Sequence, residues 1–305
     1  MRGAFLLFRL SLKRFRLLLG AIGCLLAAVQ AFRVLIAASV YNAGQFDEIT
    51  ALLPPFIRDI FGSSLASIMT FNGIVCGVYF DTGFIFALLA VTIAVATLPA
   101  SEMGTGFADL ILARPMQRHW LITRTIALVL FAILIMLLMI LVGTWAGLAM
   151  FAPPDAPWPS ARKTAALALS LGMLLLAWSG VALAFGAAYR RGVASATTSL
   201  LAFAALLLDW AHRLWPPLQS IAWLSPFYYF RPYELVAGDP LHPENLLVLW
   251  AIAMTGYIVA YLIISLRDIN TANSIAAPRW CNLSQLPRSI TSSDTRRGSS
   301  SRSMR

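Results

Sequence analysis

Asp209, His212 and Arg213 close one of the long apolar runs, and their types and spacing could do chemistry. Spacing of i, i+3 and i+4 puts all three on one face of a helix, where a carboxylate meets a guanidinium and an imidazole. Asp209 follows a charge-free stretch from Gly192 to Leu208, about 25 Å of helix, so it sits near one boundary of an apolar segment. Two readings are open for Asp209 and Arg213: a local ion pair, or an outer gate that contacts a substrate. Arg33 is the other charge set inside an apolar run. It lies toward the end of that run, where a guanidinium can snorkel to the interface.

Other chemistry has no residues to carry it. An ATPase needs GxxxxGK[ST], and of the two lysines, Lys13 and Lys163, neither follows a glycine. The sequence holds no HExxH, GxSxG or Asp-rich metal motif. His119, His212 and His242 are scattered, and Cys24, Cys76 and Cys281 form no CxxC or Cys/His spacing. Neither catalytic, cofactor-binding nor metal-binding residues are expected, and the chain does not read as an enzyme.

The elements that position these residues follow from composition. The 305 residues are 59% hydrophobic and 12% charged, with a mean hydropathy of +0.77. Soluble domains run at about 45–50% apolar and 25% charged, so a soluble globular enzyme, a disordered protein and a coiled coil are all excluded. A net charge of +10 would suggest nucleic acid in a soluble protein. Here the basic residues sit in loops and tails, as on the cytoplasmic flanks of membrane spans, and no nucleic-acid partner is expected.

The fold class expected is an all-α integral membrane protein with six transmembrane helices. A bilayer core of about 30 Å needs about 20 apolar residues in helix. Windows free of Asp, Glu, Lys and Arg run roughly Leu17–Tyr41, Thr82–Pro99, Thr125–Phe151, Thr164–Ala188, Gly192–Leu214 and Asn245–Leu266, Arg33, Asp209 and Arg213 aside. They are continuous rather than alternating, which disfavours a barrel. Residues 60–80 are also uncharged but rich in Gly, Ser and Thr, which predicts a re-entrant or interfacial segment instead of a seventh span. Basic residues followed by an apolar run and Val29-Gln30-Ala31 mimic a signal peptide, yet the run continues to Val40, so a first span is expected.

Most of the 23 basic residues fall in the two termini and in loops 100–124 and 189–191. The positive-inside rule therefore puts both termini in the cytoplasm. The outer loops, Asn42–Asp81, Ala152–Lys163 and Trp215–Glu244, then carry paired prolines, with Trp158, Trp210, Trp215 and Trp223 near the outer interface. Gly143-Thr144-Trp145-Ala146-Gly147 is a GxxxG that lets helices approach closely, within or between subunits. Residues 270–305 are Ser/Arg-rich with almost no apolar clusters and read as a disordered cytoplasmic tail.

Loop 100–124 carries the densest pattern. Thr105 can cap a short helix, with Asp109 in its early turns and Pro115 as its stop. Phe107, Leu110, Ile111 and Arg114 share one face. Such a surface helix either lies on the membrane interface or inserts its apolar face into a partner's groove.

The stretch Glu102-x-Gly104-Thr105 … Leu110-Ile111-Leu112-Ala113-Arg114-Pro115-x-x-Arg118 resembles the coupling-helix signature of ABC-2-type permeases, the membrane subunits of a large class of ABC transporters. The family usually shows Ser-Arg after the proline; here Gln117-Arg118 replaces it, and Gly106-Phe107 stands at positions more often acidic or Leu-like. Leu224-Ser225-Pro226-Phe227-Tyr228-Tyr229-Phe230-x-Pro232 resembles the segment before the family's final helix, and Arg267-Asp268-Ile269 the residues directly after it.

The resemblance covers residues 1–269. It implies a permease domain over that range, with a short cytoplasmic coupling helix between helices 2 and 3. Its residues would be Glu102, Gly104, Thr105, Phe107, Leu110, Ile111, Arg114, Pro115 and Arg118. It further implies separate ABC ATPase subunits as the motor and a second permease subunit, in a homo- or heterodimer. The expected setting is a lipid bilayer, as a multi-pass protein of a cell membrane such as the bacterial inner membrane. The work would be ATP-driven export of a drug, lipid, polysaccharide or peptide, or support for copper-enzyme assembly. The alternative is an ion- or proton-coupled secondary transporter acting without an ATPase.

Overall fold

A computed structural model of the chain describes residues 2–43, 70–100 and 119–274. Two units are distinguished, Met1–Ser265 and Leu266–Arg305; the bundle described below belongs to the first. Among the described residues every regular element is helical. Among the described residues six helices are long and apolar enough to cross a membrane, as in a multi-pass membrane protein.

Helix α1 spans Arg2–Ala43. A short helix α2 (Phe71–Cys76) and a 3-10 turn (Gly77–Tyr79) lead into α3 (Thr82–Ala96). Then come α4 (His119–Phe151), α5 (Ala161–Ala188), α6 (Arg191–Leu214), α7 (Pro232–Ala237) and α8 (Pro243–Ser274). The six spans correspond to the six charge-poor windows, with the second beginning at Phe71. Alpha-helices recur because in lipid each backbone N–H and C=O has to be satisfied within its own segment.

Three boundaries differ from expectation. The basic stretch before Leu17 is not a separate flank: α1 runs through it for 42 residues, about 60 Å. The second apolar span begins at Phe71 rather than near Thr82, so residues 71–80, read from the sequence as part of a re-entrant or interfacial segment, join it. Phe71, Val75, Cys76, Val78 and Tyr79 are buried in the bundle as a broken helix, while residues 60–69 lie outside the described residues. Arg267-Asp268-Ile269 do not follow the last helix, since α8 continues to Ser274; only its apolar part ends at Leu266. The first five tail residues are thus helical.

Helix α5 is the hub, with 67% of its apolar window buried, against 22% for that of α8. It packs on α3, α4 and α6, and its Trp178 is fully buried against Phe227. Leu130, Leu134 and Leu138 of α4 form an exposed stripe at i, i+4 and i+8, as a lipid-facing side requires.

Two close crossings fix helix pairs. A Cβ on Gly143 would lie 2.5 Å from the carbonyl oxygen of Ala27, and one on Gly147 would lie 3.0 Å from the Cα of Ala31. The GxxxG therefore seats α4 on α1 within one chain. A Cβ on Gly256 would lie 2.3 Å from the carbonyl carbon of Gly180, so α8 crosses α5 backbone to backbone. Ser179 and Tyr257 hydrogen-bond beside this crossing at 2.6 Å, and Thr123 and Tyr261 tie α4 to α8 at 2.7 Å.

Candidate functional site

The ends of α1, α3, α6 and α7 bring charged side chains together. Helix α3 starts at Asp81, whose Oδ1 accepts from the Phe84 N–H at 3.0 Å as an N-cap. Its other oxygen, Oδ2, takes a charged hydrogen bond and ion pair from Arg33 of α1. Arg33, with its side chain 28% exposed, thus meets a carboxylate of a neighbouring helix.

On α6 the expected cluster forms. Arg213 donates to Asp209 Oδ2 at 3.0 Å. Asp209 is 4% exposed. Its Oδ1 and the Nδ1 of His212 lie 3.9 Å apart, beyond hydrogen-bond reach. Both atoms are buried and have no hydrogen-bond partner. The local ion pair is thus present, and it leaves one carboxylate oxygen unsatisfied.

The segment between α6 and α8 supplies the rest. Ser225 donates to the Ala205 carbonyl of α6 at 2.8 Å and accepts from the Phe227 N–H at 3.2 Å. That pins the Leu224–Pro232 stretch onto the bundle and drops Phe227 against Trp178, ring centroids 5.9 Å apart. The turn leads into α7, where Arg231 pairs with Glu234 at 3.1 Å and lies over the Tyr228 ring. Lys163 at the start of α5 donates to the Val236 carbonyl at 3.0 Å. Helix α7 stops at Gly238, whose φ of 114° a side chain would strain.

Tyr233 of α7 stands between the charged groups. Its ring is 5.0 Å from Phe80 and 5.7 Å from the Arg213 guanidinium. Burial pushes its hydroxyl above the usual phenol range, while Arg213 pulls in the opposite direction. A cavity of about 220 Å³ is bounded by Asp209, His212, Arg213, Tyr228, Arg231 and Glu234, with Tyr233 at its edge. A second, of about 460 Å³, is bounded by Arg33, Gly77 and Asp81, again with Tyr233. Tyr233 thus lines both hollows, one walled by the Asp209–Arg213 pair and the other by Arg33 and Asp81.

This arrangement can hold and release charge by exchanging partners; it offers no nucleophile beside a base. No group of three or more His, Cys, Asp or Glu able to hold a metal occurs among the described residues. Asp209 and Arg213 are in place together. Glu102, Gly104, Thr105, Phe107, Leu110, Ile111, Arg114, Pro115 and Arg118 lie outside the described residues.

Sequence reasoning missed Asp81, Arg231, Glu234 and Tyr233. The i, i+3 spacing of Arg231 and Glu234 was a usable signal, and so was the opposite charge of Arg33 and Asp81 at the joined ends of neighbouring spans. It also missed Gln30, which is fully buried and donates to the Val75 carbonyl at 2.9 Å and to Thr144 at 3.0 Å. A lone amide within an apolar run marks such a cross-helix tie. No family model, no curated protein and no solved structure matches this chain.

Proposed function

We propose that this chain is the membrane-spanning subunit of an ABC-type exporter, forming the translocation path while separate subunits hydrolyse ATP. The observation that carries the reading is the Leu224–Pro232 stretch. It lies between the fifth and sixth apolar helices and is pinned to the bundle by Ser225, in a chain whose other family-like stretches keep the order of ABC-2-type permeases. The sequence has no phosphate loop of its own, so the motor is a partner. In this reading both termini and residues 101–118 face the cytoplasm of a bacterial cell. The apolar face of Phe107 and Leu110 enters an ATPase groove, and a second permease subunit completes the path. The Asp209–Arg213 pair then guards the outer mouth.

The test is retention of a nucleotide-hydrolysing subunit on the affinity-purified full chain. The reading expects retention by the wild type and its loss with Phe107→Asp or Leu110→Asp, with membrane insertion unchanged. Unchanged retention in those variants, or no ATPase at all, overturns it.

One observation favours a second reading. The buried, half-satisfied carboxylate of Asp209 suits a gradient-driven carrier that works alone. Flux into liposomes from the purified chain without ATP, abolished by Asp209→Asn, would select that carrier.

A further inference from the structure

A long apolar groove runs between α5 and α8, beside their glycine crossing. Its walls are Val181, Ala184 and Ala188 on one helix and Val248, Ala251 and Val259 on the other, with Gly256 in its floor. The wall positions follow helical spacing on both sides. Along α8 the groove extends from Leu247 to Ile263, about 24 Å. The one hydroxyl along the α8 wall, that of Thr255, is spent on the Ala251 carbonyl at 2.8 Å. The lining therefore asks for no hydrogen bond.

At one end the groove reaches Tyr189, and the chain continues directly into Arg190 and Arg191. Both are exposed, and neither forms an ion pair among the described residues. Arg190 is the N-cap residue of α6 but makes no side-chain capping bond, so its guanidinium is not used there.

We propose that this groove is a binding site for an anionic phospholipid, with an acyl chain along α5 and α8 and the headgroup phosphate at Arg190 and Arg191. The groove is long and narrow, about 600 Å³ over about 24 Å, a shape that seats an extended acyl chain. Charge selects the headgroup, since a zwitterionic lipid gains far less from two arginines at the membrane surface. Each such residue favours an anionic lipid about fivefold, so the pair gives roughly thirtyfold. The site lies at the far end of α6 from Asp209 and does not depend on how transport is powered.

The test is native mass spectrometry of the full chain in detergent, titrated with phosphatidylglycerol or phosphatidylcholine. The wild type is expected to retain phosphatidylglycerol roughly thirtyfold better. Arg190→Gln with Arg191→Gln should reduce that preference to within a few-fold while still holding lipid. Ala251→Phe should fill the groove and lower retention of both lipids; Ala251→Leu serves should the larger residue impair folding. Leu200→Phe, on the exposed face of α6, should leave both unchanged. Equal retention of the two lipids by the wild type overturns the proposal, as does a preference that survives loss of both arginines. Loss of a dimer in Ala251→Phe with phosphatidylglycerol retention intact also overturns it, by showing that the groove takes a second copy.

Discussion

Removing either partner of the Asp209–Arg213 pair should not cost the same. Asp209 has a side chain 6% exposed, that of Arg213 is 27% exposed, and their charged groups meet at 3.0 Å. Arg213→Met leaves a carboxylate enclosed by protein, with His212 3.9 Å away as the nearest alternative partner. Stranding a buried charge costs about 3–5 kcal/mol; with the imidazole near, the lower figure, about 3 kcal/mol, applies. Asp209→Asn keeps an acceptor oxygen at nearly the same place and leaves Arg213 partly open and over the Tyr233 ring. Its cost should be about 1 kcal/mol, the net worth of one hydrogen bond. In Asp209→Asn with Arg213→Met no charge is stranded, so the double variant should be more stable than the sum of the singles by about 1–3 kcal/mol. Equilibrium unfolding in mixed micelles measures all three. If Asp209→Asn costs as much as Arg213→Met, or if the two losses simply add, the account of a buried and half-satisfied carboxylate is wrong.

Other expectations can be checked in the same way. Gly143→Leu forces side-chain atoms onto the Ala27 backbone and should destabilise by more than the roughly 1–3 kcal/mol of ordinary overpacking, read as a lowered unfolding midpoint; Gly20→Leu, with open space around it, should change little. Arg33→Glu should lower the yield of folded protein, and adding Asp81→Arg should restore part of it; no rescue would show that the pair in α1 and α3 is not energetically coupled. Tyr233 has its hydroxyl raised in the folded state, chiefly by burial. Its contribution to stability is therefore complete below the unfolded phenol value of about 10 and is lost as pH rises through the folded value. The difference in phenolate absorbance against pH between wild type and Tyr233→Phe should show the lost tyrosine to be one that ionises late; a difference centred at the ordinary phenol value of about 10 would refute this.

The six apolar helices were legible because absence of charge over about 20 residues is a strong signal. The Asp209, His212 and Arg213 cluster was legible for a local reason, since i, i+3 and i+4 spacing is enough to bring side chains together on one helix. Contacts between helices were not. Gly143 and Gly147 announced a close crossing but not that Ala27 and Ala31 receive it. Gly180 and Gly256 lie 76 positions apart in the sequence, and only folding sets one on the other. Arg33 found Asp81 across 48 positions of sequence, a distance over which no periodicity speaks. Tyr233 could not be singled out among the aromatic residues of the last connecting segment, because its place lining both hollows depends on where α1, α3 and α6 end.

The glycine crossings have a mechanical consequence. Where backbone meets backbone, no side chain is left to rotate or slide, so α1 travels with α4 and α5 with α8. Tyr233 and the charge pairs flanking it, on α1, α3, α6 and α7, meet through side chains instead, and side chains can change partners where welded backbones cannot.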